Sequence, residues 1–185
     1  MVLAAARGEK GDPTQAARCP YAADPVKLVG LEAEVLSDLA RRLPDVTWLV
    51  EADDAKGRLL KAPAEYEPVI AASADRVIVV AGLDAVDRPL DEHTVHRPEI
   101  AARLLGVPLG TIVTPDMFAK LLGHASGRLK GIPPRAEAVA LLTQQDGHPH
   151  VHAGDIARQL LANRRVSRIV WVNFCASDLV LEMWE

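Results

Sequence analysis

The chain has 185 residues, 49% of them hydrophobic and 25% charged, which excludes a disordered polypeptide and allows a core to form without a metal or disulfide staple. It carries 25 acidic and 21 basic residues, for a net charge of −4, and only 4% aromatics. Polyanion binding needs a basic excess and single-strand binding needs stacking platforms, so nucleic acid is not an expected partner. Cys19 and Cys175 are far apart and lack metal-type spacing, which fits reduced thiols in a cytoplasm. The opening MVLAAARGEK is too short in apolar residues for a secretion signal, and no run approaches the roughly 18 residues of a membrane span. A cytoplasmic location with no membrane partner is therefore expected.

Residues 1–26 hold Gly8, Gly11, Pro13, Pro20 and Pro25 and read as an irregular arm, followed by a single α/β domain over 27–185. In LEAEVLSDLARRL, Leu31, Val35, Leu39 and Leu43 recur four apart, the stripe of a helix that Pro44 stops. Short runs rich in β-branched residues predict strands at Val46–Val50, Arg76–Leu83, Ala138–Leu142 and Arg168–Phe174. Because these runs are continuous rather than alternating, they predict a mostly parallel sheet covered on both faces. Helices fall between them: one from Pro98 to a stop at Gly106, one capped by Thr114 ahead of Pro115 and Asp116, and one from Ala153 with Asp155 near its start.

In such sheets ligands bind beyond the carboxyl ends of strands, so the residues following each apolar run are the candidates. After Val50 come Glu51, Asp53 and Asp54, the residue types that hold Mg²⁺ at a strand end; Glu51 and Asp53 are two apart and share a side on extended backbone. Lys56, Arg58 and Lys61 follow around Gly57, either as a bracket for phosphate or as a charge-balanced loop. The segment Asp84–Glu99 is dense in charge and includes His96 and Arg97, which fit acid–base or phosphate roles, or a structural hydrogen bond. Asp146 closes the run after Leu142. His148, His150 and His152 alternate, as a Zn²⁺ or Ni²⁺ site would, or as incidental loop histidines. No G-x-x-x-x-G-K-[ST] loop occurs, so the main backbone cradle for a nucleoside triphosphate is missing.

Four blocks in order, KLVGL (27–31), LVEADDAKGRLLKAPAEYEPVI (49–70), GLDAVDRPLDEHTVHRPEI (82–100) and LLGHASGRLKGIPP (121–134), resemble the selenium-dependent hydroxylase accessory protein family, YqeC. The resemblance implies a P-loop NTPase-like fold that here lacks the first strand–P-loop–helix unit. It implies an accessory role in the maturation of selenium-dependent molybdenum hydroxylases, with the hydroxylase or cofactor-maturation proteins as partners and Mg²⁺ with a nucleotide as cofactors. Carried over by position, Glu51 and Asp53 fall on the acidic strand end, as metal ligands, and Lys56, Gly57, Lys61 and Pro63 fall on the basic loop. His96, Arg97, Pro98 and Glu99 fall on V-H-R-P-E, Lys130 and Gly131 on the Lys-Gly-x-Pro turn, and Asp146 on a strand end. Asp54 departs from the glycine usual there. Three readings stay open: an accessory factor with a vestigial or partner-completed nucleotide site, a Mg²⁺-dependent nucleotide enzyme, and a non-catalytic interaction domain. Loss of a first strand leaves sheet backbone to be covered, by the arm or by a second copy in a homodimer.

Overall fold

The computed structural model describes residues 6–7, 28–29, 31–143, 152–174 and 178–185. The chain forms two compact units, Met1–Ala52 with Ala71–Ser73, and Asp53–Ile70 with Ala74–Glu185. Apart from Ala6–Arg7, the expected arm lies outside the described residues.

In the first unit, β1 (Ala6–Arg7) pairs antiparallel with β2 (Leu28–Val29). Helix α1 spans Ala33–Arg42, with Glu34 in its first turn and Arg41 and Arg42 in its last, each sign opposing the partial charge of that end. Its apolar stripe is only partly covered, and none of its residues is buried. The strand expected at Val46–Val50 does not form. Val46, Leu49 and Val50 are about half exposed, and no strand is assigned to the segment. β-branched composition favours extended backbone, but a strand exists only when a neighbour takes up its amides and carbonyls, and this segment has none among the described residues.

The second unit is built on a four-stranded sheet of β4 (Arg76–Gly82), β6 (Glu137–Thr143), β7 (Arg168–Val172) and β8 (Val180–Trp184), in the order β4-β6-β7-β8. The first three strands are parallel, with Val80 opposite Leu141 and Leu141 opposite Val170, whereas β8 joins antiparallel. The sheet is thus mixed, and the final strand was not anticipated; Glu182 interrupts its apolar run. The crossovers carry α2 (Pro98–Leu105), α3 (Pro115–Gly123) and α4 (Ala153–Ala162). Thr114 caps α3 by accepting a hydrogen bond from Met117 N at 3.2 Å, and Gly106 ends α2 at φ +74°, a conformation that favours glycine. Phe118, Leu121 and Leu122 of α3, Ile156 and Leu160 of α4, and Leu142 and Ile169 of the sheet are fully buried. Each such side chain contributes about 1.5–3 kcal/mol. Covering on both faces does not hold for β4: Val79 and Ala81 are buried, but Ile78 and Val80 stand about half exposed.

Two very short strands position the charged residues. β3 (Leu60–Lys61) pairs parallel with β5 (Val95–His96), Leu60 opposite Val95 and Lys61 opposite His96. Leu60 and Val95 are buried, and the pair is extended by Ala62 N donating to the His96 carbonyl at 3.1 Å. The Gly82 amide donates to the Leu59 carbonyl at 2.8 Å, which joins this ribbon to the end of β4. The ribbon therefore lies at the carboxyl end of a parallel strand, the place where this class of fold presents its chemistry.

Candidate functional site

The segment leading into β3 is shaped by a side-chain turn. Asp54 Oδ1 accepts from Lys56 N at 2.7 Å, and Lys56 and Gly57 both take positive φ, +51° and +71°. The turn returns the chain so that Asp53 and Lys61, eight residues apart, meet. The Lys61 side chain is only 3% exposed, and an ammonium so buried must be paired. It donates to Asp53 Oδ1, to the Asp54 carbonyl at 2.9 Å and to Glu67 Oε2 at 2.9 Å.

The pairing continues on both sides. Asp53 Oδ2 accepts from Arg128 Nη1 at 2.8 Å. Glu67 is gripped in bidentate fashion by Arg97, Nη1 to Oε2 at 2.5 Å and Nη2 to Oε1 at 2.9 Å. A chain of five groups results, Arg128–Asp53–Lys61–Glu67–Arg97, in which three cations face two carboxylates. Arg97 is the residue before α2 and sits at φ +62°, a conformation uncommon for a side-chain-bearing residue. Pro98 follows, fixing the first helical turn, so the guanidinium projects from a rigid helix start. Lys130 serves differently: its ammonium donates to the Ala64 carbonyl at 2.8 Å and to the Glu65 carbonyl, tying down the loop that carries Glu67. Gly131 follows at φ +71°, a conformation that favours glycine.

The electrostatics follow from the geometry. The Arg97 fork, aided by Lys61 against the opposing cost of burial, holds the Glu67 carboxyl down to about 2. Glu67 in turn raises Arg97. His96 moves below the ordinary imidazole range, first because it is desolvated and then because Arg97, Lys61 and Lys56 make its surroundings positive. Its Nε2 is buried with no hydrogen-bond partner among the described residues.

The residues expected from sequence converge only in part. Asp53, Lys61 and Arg97 join the ion chain, His96 pairs with Lys61 in the β3–β5 register, Lys56 sits in the turn that leads into β3, and Lys130 holds the adjoining loop. Glu51 is exposed and belongs to the first unit. Asp146, His148 and His150 lie outside the described residues. Glu67 and Arg128 were missed, although both sit inside the family-like blocks. The available signal was charge balance: Lys61 needs a carboxylate, and the block following it offers Glu65 and Glu67. The Asp84–Glu99 segment is partly a framework, since Asp91 Oδ1 accepts from the amides of His93 and Thr94 at 3.0 Å each and Arg58 Nε donates to the Glu92 carbonyl at 2.5 Å.

For Mg²⁺ the donor set fits poorly as it stands. Both Asp53 oxygens meet cationic nitrogens, so a metal ion there would have to displace Lys61 or Arg128. Among the described residues no group of three or more His, Cys, Asp or Glu side chains could hold a metal.

Fold and site together define an α/β protein with a chain of ion-paired side chains at the carboxyl end of a parallel strand. The family model described as YqeC protein matches residues 5–99, and the chain belongs to that family. It is 34% identical over 108 residues to the "Uncharacterized protein YqeC" of Escherichia coli (strain K12), an alignment covering 58% of this chain and 42% of that protein. The chain thus matches less than half the length of this curated relative. No solved structure matches it. Among the described residues no helix is long and apolar enough to cross a membrane.

Proposed function

We propose that the chain is an accessory factor in the maturation of selenium-dependent molybdenum hydroxylases, and that it acts by binding through the crevice of Asp53, Lys61, Glu67, Arg97, Arg128 and Lys130. The observation that supports this most is convergence. Three of the four blocks that resemble the YqeC family contribute to one ion chain: Asp53, Lys61 and Glu67 from the first of these, Arg97 from the second and Arg128 from the third. A framework alone would be served by apolar residues at lower desolvation cost, so a buried ammonium flanked by two carboxylates argues for a working surface. The cytoplasm and the hydroxylase or its cofactor-maturation proteins are the location and partners of this reading. A nucleotide site completed by a partner is compatible with the positive surplus, and the two carboxylates of the ion chain, Asp53 and Glu67, are both already paired with cations. A second copy belongs to the same reading, because β4 ends the described sheet and pairs on one side only, with β6.

The test is genetic. Deleting the gene in a host that makes a selenium-dependent molybdenum hydroxylase lowers that activity. The intact chain restores it, and the Arg97→Met variant does not. Normal hydroxylase activity in the deletion strain removes the proposal.

A further inference from the structure

Glu67 holds a position unlike that of the two cations it bridges, Lys61 and Arg97. Lys61 lies on β3 and Arg97 immediately precedes Pro98, the first residue of α2, so each is held by an adjoining regular element. Glu67 comes from residues 62–70, where no helix or strand is assigned, and is 21% exposed against 3% for Lys61. Its two oxygens take up one guanidinium fork and one ammonium, the geometry with which arginine and lysine receive a phosphate group, and Ala64 N adds a longer contact at 3.4 Å. The surroundings favour more negative charge than a single carboxylate supplies. Arg128 and Lys61 already share Asp53, and His96 lies opposite Lys61 in the β3–β5 register. Apart from Asp53 and Glu67, no carboxylate among the described residues pairs with Arg97 or Lys61. Lys130 holds the loop through the carbonyls of Ala64 and Glu65, and among the described residues the Glu67 backbone is tied by its 3.1 Å amide bond to the Ala64 carbonyl.

We infer that Lys61 and Arg97 form an oxyanion site for the phosphate group of a small molecule, and that Glu67 is an internal anion which occupies the site and swings out when the ligand enters. The carboxylate keeps the two cations paired and the crevice neutralised, and a phosphate, with more charge and a third acceptor oxygen, replaces it. His96 lies opposite Lys61 in the β3–β5 register, and its Nε2 is buried with no hydrogen-bond partner among the described residues. The inference concerns the same crevice as the proposed function and rests on reading it as the working surface. Gene deletion tests the pathway and a phosphate titration tests the site, so each can fail while the other stands.

The experiment is calorimetric titration of the full chain at pH 7 with inorganic phosphate and, separately, with adenosine monophosphate, ionic strength being held constant with chloride. Glu67→Gln, which removes the competing charge, is expected to bind about 10-fold more tightly than the wild type, and Arg97→Met to lose binding. The anion that gains more identifies free phosphate or a phosphate ester as the source. Should Glu67→Gln fail to fold, the ¹³C carboxyl resonance of Glu67 in the wild type decides: it shifts saturably with phosphate if the side chain is displaced. A Glu67→Gln variant that binds no more tightly, or a Glu67 resonance unmoved by phosphate, overturns the inference.

Discussion

Replacing Glu67 by glutamine keeps the shape of the side chain and removes only its charge, so it isolates what Arg97 and Lys61 gain from the carboxylate. Holding the carboxyl at about 2 against an ordinary 4.5 corresponds to about 3 kcal/mol of differential interaction. Part of that is lost to solvent because the side chain is 21% exposed, which leaves about 2 kcal/mol as the expected destabilisation at pH 7. The sign with pH follows from linkage. The folded carboxyl titrates lower than the unfolded one, so its contribution is complete above about 4.5 and is lost as the pH falls towards 2. Wild type and Glu67→Gln should therefore differ by about 2 kcal/mol in urea denaturation at pH 7, followed by circular dichroism, and should converge as the pH falls from about 4.5 towards about 2. A difference that stays constant over that range would refute the reasoning, because it would show that packing rather than charge sets the effect.

Other consequences are as direct. The ring of His96 should titrate below 6.5 by NMR, with stability falling as the pH drops below that value, since the unfolded imidazole takes up a proton the folded one resists; a midpoint at or above 6.5 contradicts its placement among cations. Thr114→Ala removes the oxygen that receives the Met117 amide and should cost about 1 kcal/mol, read as a lower urea midpoint at unchanged slope. Gly131→Ala forces a side chain into φ +71° and should cost about 1–2 kcal/mol, read as a lower urea midpoint at unchanged slope.

Much of the second unit could be read from the chain. The runs at Arg76, Ala138 and Arg168 are apolar and bounded by turn residues, and the helices between them carry their own punctuation in Pro98, Gly106, Thr114 and Pro115. These are local signals. The segment Val46–Val50 misled because it has the composition of a strand but, among the described residues, no neighbouring strand to pair with. The β3–β5 ribbon is two residues long on each side, too short for any periodicity, and is defined by its pairing across 35 residues. The crevice was half legible for the same reason. Asp53, Lys61 and Arg97 stand out by type and motif, but Glu67 and Arg128 acquire meaning only from contacts spanning 30 and 75 residues. Asp53 looked like a metal carboxylate because nothing local reveals that Arg128 reaches it.

The match to the family model stops at Glu99, yet Arg128 and Lys130 lie some thirty residues further along. Anyone trimming an expression clone to the recognised stretch would keep Asp53 and Glu67 but discard the arginine that shares the first and the lysine that moors the loop of the second. Such a shortened product would also shed β6 and leave β4 without the neighbour to which it is bonded, so its silence in a binding assay would say nothing about the intact crevice.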